Sequence, residues 1–120
     1  MALPHRKPQM KAPKIRRRFP AHCNFVRSHM CVISMTDFAW ECDGATEVAH
    51  VRRGTDGGVG VKPSDVWTIS LCAYHHRQQH QIGEQAFEKK YGIDMKDLAR
   101  EFARKSPHWP KMREAMGEAQ

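Results

Sequence analysis

A small α+β fold is what the sequence predicts, and three observations predict it: a strand-like run at 47–51 is followed by apolar residues that alternate at 66–71, a breaker-free polar run at 73–82 precedes an apolar stripe at helical spacing, and Cys and His residues are spaced to share a metal. One domain is expected, because 120 residues supply a single modest core. The mean hydropathy of -0.70 leaves limited apolar surface to bury, so a bound structural metal would help hold so small a core.

The chain opens with an arm. Between residues 1 and 19 stand Arg6, Lys7, Lys11, Lys14, Arg16, Arg17 and Arg18 with no acidic residue. The 13 remaining basic groups equal the 13 Asp and Glu, so the whole excess of +7 sits in this segment. Pro4, Pro8, Pro13 and Pro20 block a continuous helix there, and residues 1–20 are expected to form a disordered, flexible basic arm ahead of a domain at 21–120 with its core at 31–82. The structure of residues 21–30 stays open, with Phe25 and Val26 as anchors.

Residues 47–51 fit a strand that turns Val48 and His50 to one side. Gly54, Gly57, Gly58 and Gly60 exclude a regular element over 52–65. A second strand is expected at 66–71, where Trp67, Ile69 and Leu71 alternate with Thr68 and Ser70. Residues 73–82 tolerate helix and meet no breaker before Gly83. A further helix is expected at 84–91, with Phe87 inward and Gly92 as its C-terminal cap. Asp94 can cap a third, whose stripe is Leu98, Ala99, Phe102 and Ala103. Pro107 and Pro110 bracket Trp109, and a last weak helix is expected at 111–116.

No run of eighteen apolar residues occurs and the N-terminus lacks the apolar stretch of a secretory signal, so no membrane association and a cytoplasmic setting are expected. In a reducing compartment Cys23, Cys31, Cys42 and Cys72 read as thiols or metal ligands rather than disulfides. Cys72 and His75 form a Cys-x-x-His turn where the second strand meets the helix. With Cys31 and Cys42 they supply four ligands to a structural zinc; Cys23 and His29 are alternatives for either upstream ligand. His76 and His80 lie four apart, so both imidazoles leave one helix face and can grip a second cation. In a chain with eight histidines such a pair arises readily, and its weight comes from its company.

That company carries a resemblance. The linked pattern Ala49-His-Val-Arg, glycine-rich loop, Lys62-Pro-Ser-Asp, then Leu71-Cys-Ala-Tyr-His-His-Arg-Gln-Gln-His80 closely resembles phage-associated HNH, or ββα-metal, nucleases of the recombination-enhancement type. The flanks Asn24-Phe-Val-Arg27, Gly83-Glu-Gln-Ala-Phe87 and Tyr91-Gly-Ile93 are similar too, and the likeness spans residues 22–107. It implies a small ββα-metal core with a zinc knuckle and additional C-terminal helices, acting as a metal-dependent DNA endonuclease. His50 then matches the general base, which takes a proton from water, and His76 and His80 match the ligands of the catalytic cation, which Mg, Mn, Ni or Zn could fill. Products with a 5′ phosphate and a 3′ hydroxyl are implied.

Two positions depart from that pattern. Many members carry Asp or His directly before the base, as a metal ligand, where this chain has Ala49; His50 as a ligand therefore stays open. Asp65 stands where the central Asn is expected, and either orients His50 or completes the metal shell. Cys31 and Cys42 are also spaced more widely than the usual Cys-x-x-Cys turn. Arg16, Arg17, Arg18, Arg52, Arg53, Lys62 and Arg77 are the expected nucleic-acid contacts. The alternatives are a noncatalytic zinc-stabilised DNA-binding module of phage recombination and an RNA-directed nuclease. Monomer and homodimer are both open.

Overall fold

The computed structural model describes residues 3–4, 17–57 and 62–117. Its elements run α1 (Pro20–Arg27), two 3-10 turns (Val32–Met35 and Ala39–Glu41), β1 (Thr46–His50), β2 (Thr68–Cys72), α2 (Ala73–Ile82), α3 (Glu84–Tyr91), α4 (Met95–Lys105) and α5 (Trp109–Ala115). The fold is therefore small and α+β, with a two-stranded antiparallel sheet and five α-helices among the described residues.

The strands pair in a register that sets Ala49 opposite Ile69 and His50 opposite Thr68. β2 starts two residues later than its alternation predicts, because Val66 and Trp67 belong to a turn closed by the Trp67 amide on the Ser64 carbonyl at 3.0 Å. The expected alternation in exposure is absent as well, since every residue of β2 is buried. Helices α1, α2 and α4 pack against the sheet. Thr68 and Ser70 tolerate burial because their hydroxyls donate to the carbonyls of Asp65 and Met30, at 2.8 and 2.7 Å.

The core joins Ile33, Val51, Ile69, Leu71, Phe87 and Met95 between the sheet and the helices that follow it. Burying these side chains drives the assembly, at about 25 cal/mol per Å² of apolar surface. Helix boundaries at α2 and α3 fall where the sequence places them. Gly92 ends α3 in the left-handed region at φ 66°, a conformation that costs glycine nothing. Asp94 caps α4 by accepting from the Asp97 amide at 3.0 Å, and Met95, Ala99 and Ala103 are the side chains α4 buries deepest. α5 starts two residues before its expected position, with Pro110 in its first turn, where the missing amide is no loss.

Residues 21–30, left open above, form most of α1, which buries His22 and Val26 four apart on one face. The expected boundary of the arm at residue 20 falls inside packed structure. The Asp65 amide donates to the Arg17 carbonyl at 2.9 Å, and Phe19 packs beside a second apolar cluster of Val66, Ala103 and Met112. The rest of the expected arm, apart from Leu3 and Pro4, lies outside the described residues.

Candidate metal centre and active-site cleft

Two constellations emerge, one buried and one open. The buried one gathers Cys31, Cys42, Cys72 and His75, whose ligand atoms all lie within 4.8 Å of one another. Cys72 is the N-cap of α2 and its sulfur accepts from the His75 amide, so the strand-to-helix junction itself sets two ligands side by side. Cys31 and Cys42 flank the two 3-10 turns, which fold back over that junction. The ten-residue gap between these cysteines is thus taken up by compact turns. Gly44 makes the close approach possible: at φ 86°, a Cβ there would stand 2.7 Å from that of Ala73.

The geometry fits zinc. His75 Nδ1 lies 3.7, 3.6 and 3.2 Å from the sulfurs of Cys31, Cys42 and Cys72. A tetrahedron with zinc–sulfur bonds of about 2.3 Å and a zinc–nitrogen bond of about 2.0 Å has sulfur–nitrogen edges of about 3.5 Å. Burial, followed by the neighbouring Cys31 sulfur, pushes the Cys42 thiol up to about 12, and burial likewise raises Cys31. Three clustered thiols resist ionising together unless a cation compensates them. The donor set is compatible with a structural zinc.

A carboxylate completes this centre. Glu41 Oε1 lies 3.2 Å from His75 Nε2 and accepts from the Tyr91 hydroxyl at 3.0 Å. Burial pushes the Glu41 carboxyl up, but the hydrogen bonds from His75 and Tyr91 outweigh it and hold the group below its usual range. Glu41 therefore favours the tautomer that carries its proton on Nε2 and turns the Nδ1 lone pair toward the sulfurs. Sequence reasoning missed Glu41; the available signal was a carboxylate directly before a ligand cysteine. The alternatives Cys23 and His29 are not in the tetrad. Cys23 sits on α1 beside the open cleft, and exposed His29 has its Nδ1 2.7 Å from the Phe25 carbonyl oxygen.

The open constellation is a cleft of about 780 Å³ lined by Arg18, Asn24, Arg27, Glu47, His50, Arg52, Lys62, Asp65, His76 and His80, among others. His50 and Asp65, the expected base and its neighbour, are in direct contact, with Nε2 2.9 Å from Oδ1. Asp65 is 5% exposed, so the contact is largely shielded from water. His76 and His80 come together as helical spacing requires, Nε2 to Nε2 at 3.3 Å. That separation equals the edge of a tetrahedron with metal–nitrogen bonds of about 2.0 Å.

Glu47 Oε1 stands 2.8 Å from His76 Nδ1. This repeats around His76 the carboxylate–imidazole arrangement seen at His75, and presents Nε2 on the side of His80. No local sequence signal marks Glu47, because its partner lies 29 residues away on another element. Ala49 is fully buried in the core, so the position that carries an acidic or His ligand in the resembled nucleases is turned away from the cleft here.

The expected cationic contacts divide. Arg18, Arg52 and Lys62 line the cleft, and Arg27 of α1 joins them, unforeseen because α1 itself was. Arg17 is exposed at the base of the arm, and Arg16 lies outside the described residues. Arg53 lines a neighbouring hollow, 3.7 Å from the Glu88 carboxylate, and exposed Arg77 does not line the cleft. α2 presents the two histidines on one side of its axis, so Arg77, one residue after His76, points elsewhere.

No helix among the described residues is long and apolar enough to cross a membrane. No curated protein matches the chain significantly. No solved structure does so either. Residues 5–106 match the family described as Protein of unknown function (DUF968), and since the match covers most of the chain, the protein belongs to that family.

Proposed function

We propose that this protein is a metal-dependent DNA endonuclease of the HNH, or ββα-metal, class. The observation that carries the reading is that the His50–Asp65 pair and the His76–His80 pair line one cleft with Arg18, Arg27, Arg52 and Lys62 at its walls. In this reading β1, β2 and α2 are the ββα core, and the Cys31, Cys42, Cys72 and His75 centre is its structural zinc knuckle.

Each residue then has a physical task. Asp65 accepts the Nε2 proton of His50, which puts the ring's lone pair on Nδ1 and stabilises the imidazolium that forms when His50 takes a proton from water. The oxygen of that water attacks phosphorus as the bond to the 3′ oxygen breaks, and the departing 3′ oxygen takes a proton from solvent, leaving a 5′ phosphate and a 3′ hydroxyl. His76 and His80 would hold a divalent cation through Nε2, with Glu47 orienting His76. When bound, that ion supplies positive charge to the phosphate oxygens and the leaving oxygen. The Arg and Lys side chains hold flanking phosphates and align the strand without reading its sequence.

The test is cleavage of plasmid and single-stranded DNA by protein first stripped of metal and then resupplied with magnesium, manganese, nickel or zinc. Cutting is expected with at least one metal and is lost in His50→Ala and His80→Ala, both still folded. RNA given in parallel separates the RNA-directed alternative.

The burial of Ala49, which removes one customary ligand position, favours a second reading: a DNA-binding module that keeps the nuclease shape without the chemistry. Such a protein binds DNA equally well with and without His50 and does not cut it, whichever metal is supplied.

A further inference from the structure

The root of the basic arm is built into the His50–Asp65 pair. Three hydrogen bonds join residues 17–19 to residues 64–65: the Arg17 amide donates to Ser64 Oγ at 3.1 Å, the Asp65 amide to the Arg17 carbonyl at 2.9 Å, and the Phe19 amide to Asp65 Oδ2 at 2.8 Å. Asp65 thus meets His50 through one carboxylate oxygen and accepts from the arm's backbone through the other. Ser64 is held in turn by Asp56, which accepts from both its amide and its hydroxyl, so the glycine-rich loop is tied to the same point. The Phe19 ring packs beside Val66, Ala103 and Met112 and anchors the strap from the far side. Arg18, pinned between two backbone-bonded neighbours, lines the cleft.

A carboxylate bonded through only one oxygen can rotate about its Cβ–Cγ bond and trade which oxygen it offers; bonded through both, it presents a fixed oxygen to its partner. We infer that residues Arg17–Phe19 form a clasp in which the Phe19 backbone N–H positions Asp65, and through it the His50 ring, so that the arm's root acts on turnover while its outer cations act on DNA affinity. The effect on cleavage rests on the nuclease reading. The effect on the His50 ring does not.

The experiment uses the zinc-loaded 120-residue chain in four forms: wild type; Phe19→Ala, which removes the ring and keeps the N–H; Phe19→Pro, which removes the ring and the N–H donor together; and a variant in which Arg6, Lys7, Lys11 and Lys14 are each changed to Gln. Amide hydrogen exchange is read in the wild type, the His50 ring nitrogen shifts by NMR in all four, and kcat and KM for plasmid cleavage alongside. The Phe19 and Asp65 amides are expected to be protected. Phe19→Pro is expected to move the His50 shifts toward a mixture of tautomers and to lower kcat about tenfold at unchanged KM. The Gln variant keeps the wild-type His50 shifts and kcat but has a raised KM.

A Phe19 amide exchanging at the rate of an unstructured peptide overturns the clasp, and this wild-type measurement decides the matter even if Phe19→Pro does not fold. Unchanged His50 shifts in folded Phe19→Pro overturn it too, as does an equal shift in Phe19→Ala or in the Gln variant. If no form cuts DNA, the nuclease reading fails, while the ring spectra still decide the clasp.

Discussion

Asp65 stands on the loop ahead of β2, yet its carboxylate lies 2.9 Å from Nε2 of His50 at the end of β1, across fifteen residues of sequence. The antiparallel register closes that gap by setting His50 opposite Thr68, whose hydroxyl in turn donates to the Asp65 carbonyl at 2.8 Å. An Asn at position 65, with its oxygen held by the Phe19 N–H, would turn its NH2 toward His50 and favour the tautomer with the lone pair on Nε2. Asp65→Asn is therefore expected to lower kcat for DNA cleavage by about 100-fold, with little change in DNA affinity or melting temperature. Steady-state kinetics beside thermal unfolding check this; full activity in the variant would remove Asp65 from the mechanism.

The tetrad should hold one zinc per chain, measurable by metal analysis of the purified protein. Structural zinc in small domains is worth about 10 kcal/mol or more, comparable with the whole stability of such a domain. Strong chelation, Cys72→Ser and His75→Ala are each expected to abolish the cooperative unfolding transition. Glu41→Ala keeps all four ligands but leaves His75 Nε2 without its carboxylate, and zinc should bind about 10- to 100-fold more weakly in a competition titration.

Position 49 offers a test of where the cleft ends. Ala49 is 0% exposed among Val51, Ile69 and Leu71, so an acid there enters the apolar core and not the cation site. Ala49→Asp, which introduces one of the two residues that many of the resembled nucleases carry there, is expected to cost about 3 kcal/mol or more in urea unfolding and to gain no affinity for divalent cations. A stable variant with tighter metal binding would show that Ala49 faces the cleft.

Acid sensitivity should trace to His22. Its ring is fully buried, neither ring nitrogen has a hydrogen-bond partner among the described residues, and burial, followed by the charge of His108, lowers its pKa to about 4. Between the unfolded value of about 6.5 and this folded value, the unfolded chain binds the proton and the native chain does not. Stability is then complete above about pH 6.5 and falls with pH, at up to about 1.4 kcal/mol per unit, until the folded ring also titrates near 4. His22→Phe should flatten this window in denaturant unfolding followed from pH 7 to pH 4. An unchanged slope would place the acid sensitivity elsewhere.

Local rules made much of this protein legible in its sequence. Helix α2 ends before Gly83, α3 ends at Gly92 and α4 begins after Asp94, because breakers and caps act within a turn of where they stand. The Cys72–His75 and His76–His80 pairs were likewise legible from helical spacing, whereas Cys31 and Cys42 were candidates by residue type with Cys23 and His29 as alternatives. What lay beyond local reach was everything that depends on two segments meeting. α1 carries few strong helix signals and exists because His22 and Val26 are buried against the sheet.

The sequence by itself determined the order of strands and helices, the metal-binding residue types and the concentration of charge near the N-terminus, since these follow from spacing and composition. Only the tertiary structure decided which cysteines share His75, that Glu41 and Glu47 back the two imidazoles, that Ala49 faces the core, and that the arm's root is bonded to Asp65. The reason is that hydrogen bonds and ligand shells are set by distances of about 3 Å in space, and segments tens of residues apart reach them only after the apolar core has fixed the sheet register and the packing of the helices upon it.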